Sequence, residues 1–364
     1  MTHTIDDHPF AADLLRWYDA NRHPLPWRAN RDPYRVWLSE VMLQQTQVET
    51  VKPYFDAFTN LYPTVRDLAA APLDDVLKLW EGLGYYSRAR SMHRTARIVT
   101  EQHGGVFPNT VDGLLALPGI GRYTAGAIAS IAYDVPAPVL DGNVIRVFSR
   151  LLDSVEDVTK PKTIAALWDT AEQWTPDARA GDYNQALMEL GRLICKPRNP
   201  LCGDCPIRAH CAAYAHDTQA ERPIKAPKAK TPHYDVTAGM IWDDQGRLLI
   251  AQRPAEGLLG GLWEFPGGKQ EDGETLEACL KRELREELAI EVSVCEVFAV
   301  VKHAFTHFRI TLHAFTCRYV SGEPQALGVQ AWRWVTEDEL REYAFGKADR
   351  AVIDALEKRR GMMF

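Results

Sequence analysis

The chain has 364 residues, of which 46% are hydrophobic and 25% charged, and its formal net charge is −7. This length predicts two or three domains, each with its own core, and the composition is typical of a globular protein. No run of about 18 apolar residues occurs, and the N-terminus lacks a secretory pattern, so we expect a cytoplasmic protein without a spanning helix. The acidic balance excludes a uniformly basic surface, so nucleic-acid binding would require locally placed cations.

Helical periodicity dominates the chain from Phe10 to about Tyr214, where apolar residues recur three and four positions apart. Residues 36–58 form one such stretch and contain Glu40 between apolar neighbours. Burial would raise the pKa of this carboxyl and favour its protonated form. The alternative is a surface carboxylate that pairs with an arginine.

A basic stripe follows at Arg90, Arg94 and Arg97, with Arg88 just before it and two tyrosines, Tyr85 and Tyr86, ahead of them. The stripe fits a solvated helix face. It also fits a surface that contacts phosphates beside an aromatic residue able to stack on bases.

A glycine turn lies within residues 114–128, LLALPGIGRYTAGAI. Gly119 and Gly121 allow the backbone to expose successive N–H groups at the start of the next helix, which predicts an anion site. Asp141 stands twenty residues after Gly121 and is followed by Gly142 and Asn143. A turn that binds phosphate, with a carboxylate at a set distance behind it, suggests a protein that holds a DNA backbone and acts on a nucleotide.

Four of the seven cysteines are clustered with the spacing C-x6-C-x2-C-x5-C, namely Cys195, Cys202, Cys205 and Cys211. In a reducing compartment such a cluster predicts metal ligands rather than disulfides. Zinc is the generic metal for four thiolates, but this spacing is not that of zinc fingers or of common ferredoxins. The remaining cysteines, Cys279, Cys295 and Cys317, lie in apolar contexts and are predicted to be core residues.

The composition changes at residues 217–233, which carry three prolines and four lysine or arginine residues. We predict a linker there, either solvated or lying along DNA. Beyond it, period-two patterns predict the strands of a mixed sheet. The predicted strands are 236–242, 247–253, 296–305 and 309–320, and the predicted helices are 275–288 and 350–360.

The segment from Gly268 through Glu274 to Arg282 and the glutamates after it has the pattern of a Nudix box, a loop–helix–loop that positions carboxylates for magnesium on a diphosphate. Ala289 is the one departure, where the box has glycine. The glutamates lie three and four apart, on one helix face, and Mg²⁺ prefers such oxygen ligands. The candidate magnesium ligands are Glu283, Glu286 and Glu287.

The segment LPGIGRYTAGAI followed by VLDGNVIR resembles the helix-hairpin-helix signature of the base-excision DNA glycosylases that include endonuclease III and MutY. The resemblance implies an all-α glycosylase domain over 1–216, with a six-helix lobe at about 28–135 and an iron–sulfur lobe from the N-terminal helix plus 136–216. An α+β Nudix-like domain over 234–364 would follow the linker. The cysteine spacing matches the 4Fe–4S loop of this superfamily.

The resemblance also implies catalytic roles in the adenine-removing branch. Glu40 would protonate the adenine ring, and Asp141 would stabilise the oxocarbenium ion. Tyr123 and Asn143 would hold Asp141 by hydrogen bonds. Tyr123 also stands where strand-cutting relatives carry a lysine nucleophile, which implies a glycosylase without efficient lyase activity.

Further positions match DNA-binding and base-binding residues of the family. Gln45 and Tyr85 match residues that wedge beside the orphaned base, and Arg88, Gly119 and Gly121 would contact DNA. Trp27, Arg28 and Gln185 match the adenine pocket, although Trp27 could be a core residue and Gln185 could cap a helix. The turn Phe305, Thr306 and His307 matches the loop that senses 8-oxoguanine, with threonine in place of serine.

The function expected from these features is a monomeric enzyme that removes adenine opposite 8-oxoguanine or guanine in double-stranded DNA, near the nucleoid. An alternative is a bifunctional protein whose Nudix box also hydrolyses oxidised purine nucleotides; against it stands the simpler interpretation that the acidic helix is a scaffold or a fortuitous metal site. A lesion-binding protein without catalysis is a third hypothesis. The presence of both Glu40 and Asp141 argues against it, because binding alone requires neither acid.

Overall fold

The structure, a computed structural model, describes residues 9–227 and 231–361. Residues 1–8, 228–230 and 362–364, which carry parts of the predicted N-terminus, linker and C-terminal domain, lie outside the described part. The chain divides into two compact units, Met1–Ala70 with Ser91–Lys228 and Ala71–Arg90 with Ala229–Phe364. We predicted residues 71–90 within the six-helix lobe, and the exact domain boundaries remain a prediction.

The first unit is built from helices joined by short turns. In chain order the helices up to residue 215 are α1 (Ala11–Asn21), α2 (Pro33–Leu43), α3 (Val48–Leu61), α4 (Val65–Ala70), α5 (Leu73–Leu79), α6 (Ser87–Gln102), α7 (Val111–Leu115), α8 (Arg122–Tyr133), α9 (Gly142–Leu151), α10 (Pro161–Gln173), α11 (Ala180–Leu193) and α12 (Ala212–Ala215). Of these, α5 and the start of α6 belong to the second unit. Helix α8 packs against α2 and α11, and α11 packs against α9. The prediction of an all-helical first domain is confirmed.

The helical stretch over residues 36–58 forms two helices, because the chain breaks between α2 and α3. Gln45 has a φ of 58°, in the left-handed region that ends a right-handed helix. Asp32 caps the start of α2 by accepting a hydrogen bond from the Tyr34 N–H at 3.1 Å. Apolar periodicity continues through the break, so it could not reveal one left-handed residue.

The glycine turn joins α7 to α8 as predicted. Gly119 has a φ of 72°, and a Cβ there would lie 2.6 Å from the Cβ of Ser91, so only glycine fits. The Thr95 hydroxyl donates to the Pro118 carbonyl at 2.6 Å and secures the turn. Gly121 is the N-cap of α8 and offers no side-chain cap, which leaves the first backbone N–H groups of α8 available to an anion.

The second unit contains a mixed sheet with a helix on each face. Its strands are β1 (His233–Trp242), β2 (Leu248–Gln252), β3 (Trp263–Glu264), β4 (Glu291–Ala304), β5 (Arg309–Ser321) and β6 (Ala331–Val335), and its helices are α13 (Leu276–Leu288) and α14 (Lys347–Gly361). The strand order is β3-β2-β1-β5-β4, with β6 on β2. Strands β1 and β5 are parallel, and the other pairs are antiparallel. The predicted α+β domain is confirmed, although β3 and β6 were missed.

Alternation along the strands divides the core of this unit into two clusters. Met240 of β1 packs with residues of α14 such as Val352, whereas the adjacent Ile241 packs with Leu284 of α13. Cys279 and Cys317 are buried as predicted, but Cys295 is exposed on β4, so its assignment to the core was wrong. Strand β4 lies at the edge of the sheet, where an apolar sequence context does not ensure burial. None of the described helices is long and apolar enough to cross a lipid bilayer.

Candidate active site

A cavity of about 980 Å³ lies within the first unit, among α2, the glycine turn, the start of α9 and α11. It collects residues from distant parts of the sequence. The predicted residues that line it are Trp27, Arg28, Glu40, Gln45, Gly119, Gly121, Tyr123, Asp141, Asn143 and Gln185. All the site residues predicted in this unit outside the cysteine cluster therefore line the same cavity.

Glu40 is one of the buried polar residues of the first unit, with only 5% of its surface exposed. The Tyr123 hydroxyl donates a hydrogen bond to its carboxylate and also lies 3.2 Å from the Met188 sulfur. The pKa of Glu40 is raised to about 7, mainly by burial and in part by the charge of Asp141. The hydrogen bond from Tyr123 and the charge of Arg28 act in the opposite direction. Glu40 is thus able to hold a proton near neutral pH, which a surface carboxylate would not do.

Tyr123 was predicted to hold Asp141, and the structure places its hydroxyl on Glu40 instead. The prediction of that hydrogen bond was wrong because α8 presents this ring to the α2 side of the cavity. Burial, followed by the charges of Glu40 and Asp141, keeps the pKa of Tyr123 well above its ordinary value. Tyr123 is therefore a neutral donor in this site.

Asp141 is the N-cap of α9, and its carboxylate is held by local donors. One oxygen accepts from the backbone N–H groups of Asn143 and Val144 at 2.9 and 2.7 Å. The other accepts from the Asn143 amide at 2.8 Å, as predicted for Asn143. Burial raises the pKa of Asp141 above its ordinary value, and these donors oppose that shift by favouring the ionised form.

Arg146 extends the support of Asp141 towards the cysteine cluster. Its guanidinium donates to the Asn143 carbonyl oxygen of the side chain at 2.9 Å. It also donates to the Gly191 and Cys195 backbone carbonyls, both at 2.7 Å. The orientation of Asn143, and through it Asp141, thus depends on the segment that carries the first clustered cysteine.

The cavity is also lined by Trp27, Arg28 and a residue that sequence reasoning missed, Glu189. Glu189 is 1% exposed and forms an ion pair with Arg28. It also accepts from the backbone N–H of His23 at 3.0 Å. Its position four residues after Gln185 on α11, on the same helix face, was the available signal.

Two alternatives for pocket residues are resolved by the geometry. Trp27 is both buried against the Phe55 ring, at 5.4 Å, and part of the cavity wall. Gln185 lies inside α11 and not at its end, so it is no helix cap; its amide donates to the Gly181 carbonyl at 3.2 Å. Each residue can therefore contact a ligand in the cavity.

The four clustered cysteines line one small cavity behind α9 and α11. Buried Arg150 donates to the Cys195 sulfur at 3.2 Å and to the Lys196 carbonyl at 2.7 Å. A permanent cation against thiolate ligands offsets their negative charge, so the donor set suits an iron–sulfur cluster. Within the described ranges, His, Cys, Asp and Glu side chains form no group of three placed to hold a single metal ion.

The second unit brings Tyr85 and the predicted lesion-reading turn together. The Tyr85 hydroxyl lies 2.8 Å from the Thr306 hydroxyl. Arg88 stacks on the Tyr85 ring and donates to the Leu83 and Gly84 carbonyls at 3.2 and 3.1 Å. Arg88 thus supports Tyr85, while Thr306 and its neighbour His307 are exposed.

The turn around Thr306 is stiffened by its aromatic residues. The Phe305 and Phe308 rings stack at 4.7 Å, and the Phe305 N–H donates to the Phe308 carbonyl at 2.8 Å. The ring of His303 meets Phe305 edge-on at 4.6 Å. Phe305 is therefore partly buried as the base of the turn, and the two polar residues form its tip.

The predicted magnesium ligands do not assemble into a metal site among the described residues. Glu283 pairs with Arg282 at 2.9 Å, and Glu286 is exposed. Burial, with the charge of Glu283, raises the pKa of Glu287 to about 7. We therefore derive no chemistry from magnesium here.

Family models match residues 38–173 (HhH-GPD superfamily base excision DNA repair protein), 195–211 (iron-sulfur binding domain of endonuclease III) and 237–355 (NUDIX domain). The adenine DNA glycosylase of Rattus norvegicus is 36% identical over 405 residues, which cover 96% of this chain and 78% of that protein. The chain belongs to the adenine DNA glycosylase family.

Another relative and a solved structure agree with this assignment. The adenine DNA glycosylase of Homo sapiens is 36% identical over 400 residues, covering 94% of this chain and 73% of that protein. A thermostable thymine-DNA glycosylase superposes with a TM-score of 0.52 at 30% identity, over 56% of this chain and 94% of that chain. The protein is thus a base-excision repair glycosylase with an iron–sulfur-binding segment and a C-terminal Nudix domain.

Proposed function

We propose that the protein hydrolyses the N-glycosidic bond of adenine mispaired with 8-oxoguanine or guanine in double-stranded DNA, acting as a monomer. The observation that carries this proposal is the pairing of two unlike carboxyls on one cavity. Glu40 is buried with a pKa near 7, and Asp141 is held by three donors that favour its charge. This is the division between acid and stabilising carboxylate that glycosidic cleavage requires.

The chemistry follows from these positions. Glu40 transfers its proton to a ring nitrogen of the everted adenine, so that the base departs neutral when the bond from the sugar breaks. Asp141 stabilises the positive charge that develops on the sugar. Water adds its hydroxyl to the anomeric carbon, and its proton is taken by a carboxylate. The Tyr123 hydroxyl orients Glu40 throughout.

The adenine would occupy the end of the cavity formed by Trp27, Arg28, Gln185 and Glu189. The Arg28–Glu189 ion pair presents a donor and an acceptor at a buried position, which suits the edge of a purine. Gln45 and the uncapped start of α8 at Gly121 would contact the DNA around the everted nucleotide. In the second unit, Tyr85 and the turn at 305–307 would read the oxidised base.

The proposed reaction stops at base removal. Strand cutting by this superfamily needs an amine at the position of Tyr123, and a phenol has no amine with which to form a Schiff base. The cluster, which we propose to be of the 4Fe–4S type on Cys195, Cys202, Cys205 and Cys211, would stabilise its loop. Hydrolysis of oxidised purine nucleotides by the Nudix domain stays a prediction.

The test uses a duplex that is labelled on the adenine strand and carries A opposite 8-oxoguanine, with a matched A·T duplex as control. The expected result is strand scission only after alkali and only in the mispaired duplex. Asp141→Asn should lose base release by orders of magnitude and keep duplex binding, because asparagine still caps α9. Full excision by this variant, or scission without alkali, would contradict the proposal.

A further inference from the structure

A second cavity, of about 490 Å³, lies in the second unit where β1 and β5 begin and β4 ends. The residues that line it are His233, Lys302, His303, Ala304, Arg309, Ile310 and Thr311. Two of them, Lys302 and Arg309, are cations, two are histidines, and none is acidic. The chain as a whole has a net charge of −7, so the local charge at this cavity has the opposite sign to the overall charge.

The strand register explains how these side chains converge. Arg309 of β5 pairs with His233 of β1 and with Ala304 of β4, and Thr311 pairs with Lys302. Paired residues, and residues two apart on one strand, share a face of the sheet. Lys302, Arg309 and His233 therefore project from one face, and His233 is oriented by its ring nitrogen at 2.9 Å from the Thr311 hydroxyl.

The charges at this cavity are not neutralised by acids. Lys302 and Arg309 are exposed, and within the described residues neither forms an ion pair. Asp235, the acid that pairs with Thr311 across β1 and β5, has His313 as its partner at 2.9 Å. By contrast, Arg253, Arg282 and Arg350 of this unit each pair with glutamate.

His303 also lines the cavity, but from the opposite face of the sheet, because it pairs with Ile310. Burial, followed by the charge of Lys347, lowers its pKa below the ordinary value. A further cation thus acts on this end of the sheet in addition to Lys302 and Arg309. An anion that entered the cavity would meet the charges of Lys302 and Arg309.

We propose that this basic cavity, whose one face presents His233, Lys302 and Arg309, binds a backbone phosphate of the DNA strand that the 305–307 turn reads. The inference rests on the proposed function, which brings that strand to the turn. The cavity lies directly at the base of the turn, because Ala304 and Arg309 flank it on β4 and β5. A phosphate bound here would set the register of the strand while Thr306 and His307 face a base.

The test measures duplex binding by the full chain as a function of salt. Lys302→Ala/Arg309→Ala is compared with Arg318→Ala/Lys358→Ala, which removes two exposed cations elsewhere on the same unit. The duplexes carry 8-oxoguanine opposite cytosine, which leaves no adenine to excise, or no lesion. We expect the salt slope of the first variant to fall by about 1, with weaker binding to both duplexes alike, because backbone contacts carry no sequence information.

The control variant should keep the wild-type salt slope. Equal losses in the two variants, or no loss in either, would overturn the proposal. Lys302→Arg/Arg309→Lys should restore the slope and so separate lost charge from misfolding. If the first variant instead loses binding of free dGTP while duplex binding is unchanged, the cavity serves a free nucleotide and the proposal is also wrong.

The comparison of salt slopes does not depend on the excision chemistry. Adenine release from the A:8-oxoguanine duplex is measured separately with wild-type protein, and its absence would defeat the proposed function while leaving the slope comparison interpretable.

Discussion

The phenol of Tyr123 donates its hydrogen bond to Glu40, and not to Asp141, although the cavity exposes all three side chains. The two carboxyls therefore have different partners. Asp141 is held by donors of its own helix start, whereas Glu40 is held from a helix 83 residues away in sequence. This difference lets one acid keep a proton while donors favour the charge of the other.

The pH dependence of excision should follow the pKa of Glu40, which is about 7. The protonated form of Glu40 is the active one, so the single-turnover rate should fall about tenfold per pH unit above this pKa. Tyr123→Phe removes a hydrogen bond that lowers this pKa, and the falling limb should move to higher pH. An unchanged limb, or one that moves to lower pH, would show that Tyr123 does not act through Glu40.

Glu40→Gln should abolish excision and change the pH dependence of stability. Because the folded-state pKa of Glu40 is raised above its ordinary value, its contribution to stability is present below that ordinary value and is lost as pH rises through about 7. Glutamine stays neutral and avoids this loss. The melting temperature of the variant relative to wild type should therefore be higher at pH 8 than at pH 5. Glu49→Gln, at an exposed position of α3, is the matched control. Its melting temperature relative to wild type should be the same at pH 8 and at pH 5.

Arg150→Met should destabilise the iron–sulfur segment. Arg150 is 2% exposed and donates to the Gln219 and Lys196 carbonyls at 2.8 and 2.7 Å, besides the Cys195 sulfur. Buried carbonyls left without donors should cost about 3 kcal/mol of unfolding free energy. Iron content per chain and chemical denaturation measure the effect. Arg208→Met, an exposed arginine of the same loop, should retain both iron and stability.

Thr306→Val should reduce the preference for adenine opposite 8-oxoguanine over adenine opposite guanine. Valine has nearly the shape of threonine but lacks the hydroxyl, so a polar contact to the oxidised base is lost while the turn is retained. Thr306→Ser should keep the preference. The ratio of single-turnover rates on the two mispairs is the measurement, and a ratio unchanged by valine would exclude a reading role for this hydroxyl.

Tyr85→Phe separates the ring of Tyr85 from its hydroxyl. The substitution removes the 2.8 Å contact with Thr306 but keeps the exposed aromatic face and its stacking with Arg88. If Tyr85 acts by stacking on bases, excision should change less than about twofold, whereas Tyr85→Ala should lose about 1–3 kcal/mol of binding. Equal losses in the two variants would assign the role to the hydroxyl.

The parts of the site that could be predicted from sequence are those built by neighbours in the chain. Asp141 is capped by the next residues, so its setting is contained in the segment from 141 to 144. The glycine turn before α8 and the spacing of the four cysteines are equally local. The strand patterns around β1 and β5 also predicted the second domain, because two-residue alternation follows directly from burial on a sheet.

Other features required distant segments to meet. Glu189 and Arg28 are 161 residues apart, and Gln45 interrupts a periodic pattern with one left-handed residue. Tyr123 faces Glu40 because of how α8 packs on α2, and Cys295 is exposed because β4 is an edge strand. A sequence pattern specifies which face of an element is apolar. The partner of a polar side chain depends instead on how helices rotate and which strands lie at an edge, and those are properties of the whole packed chain.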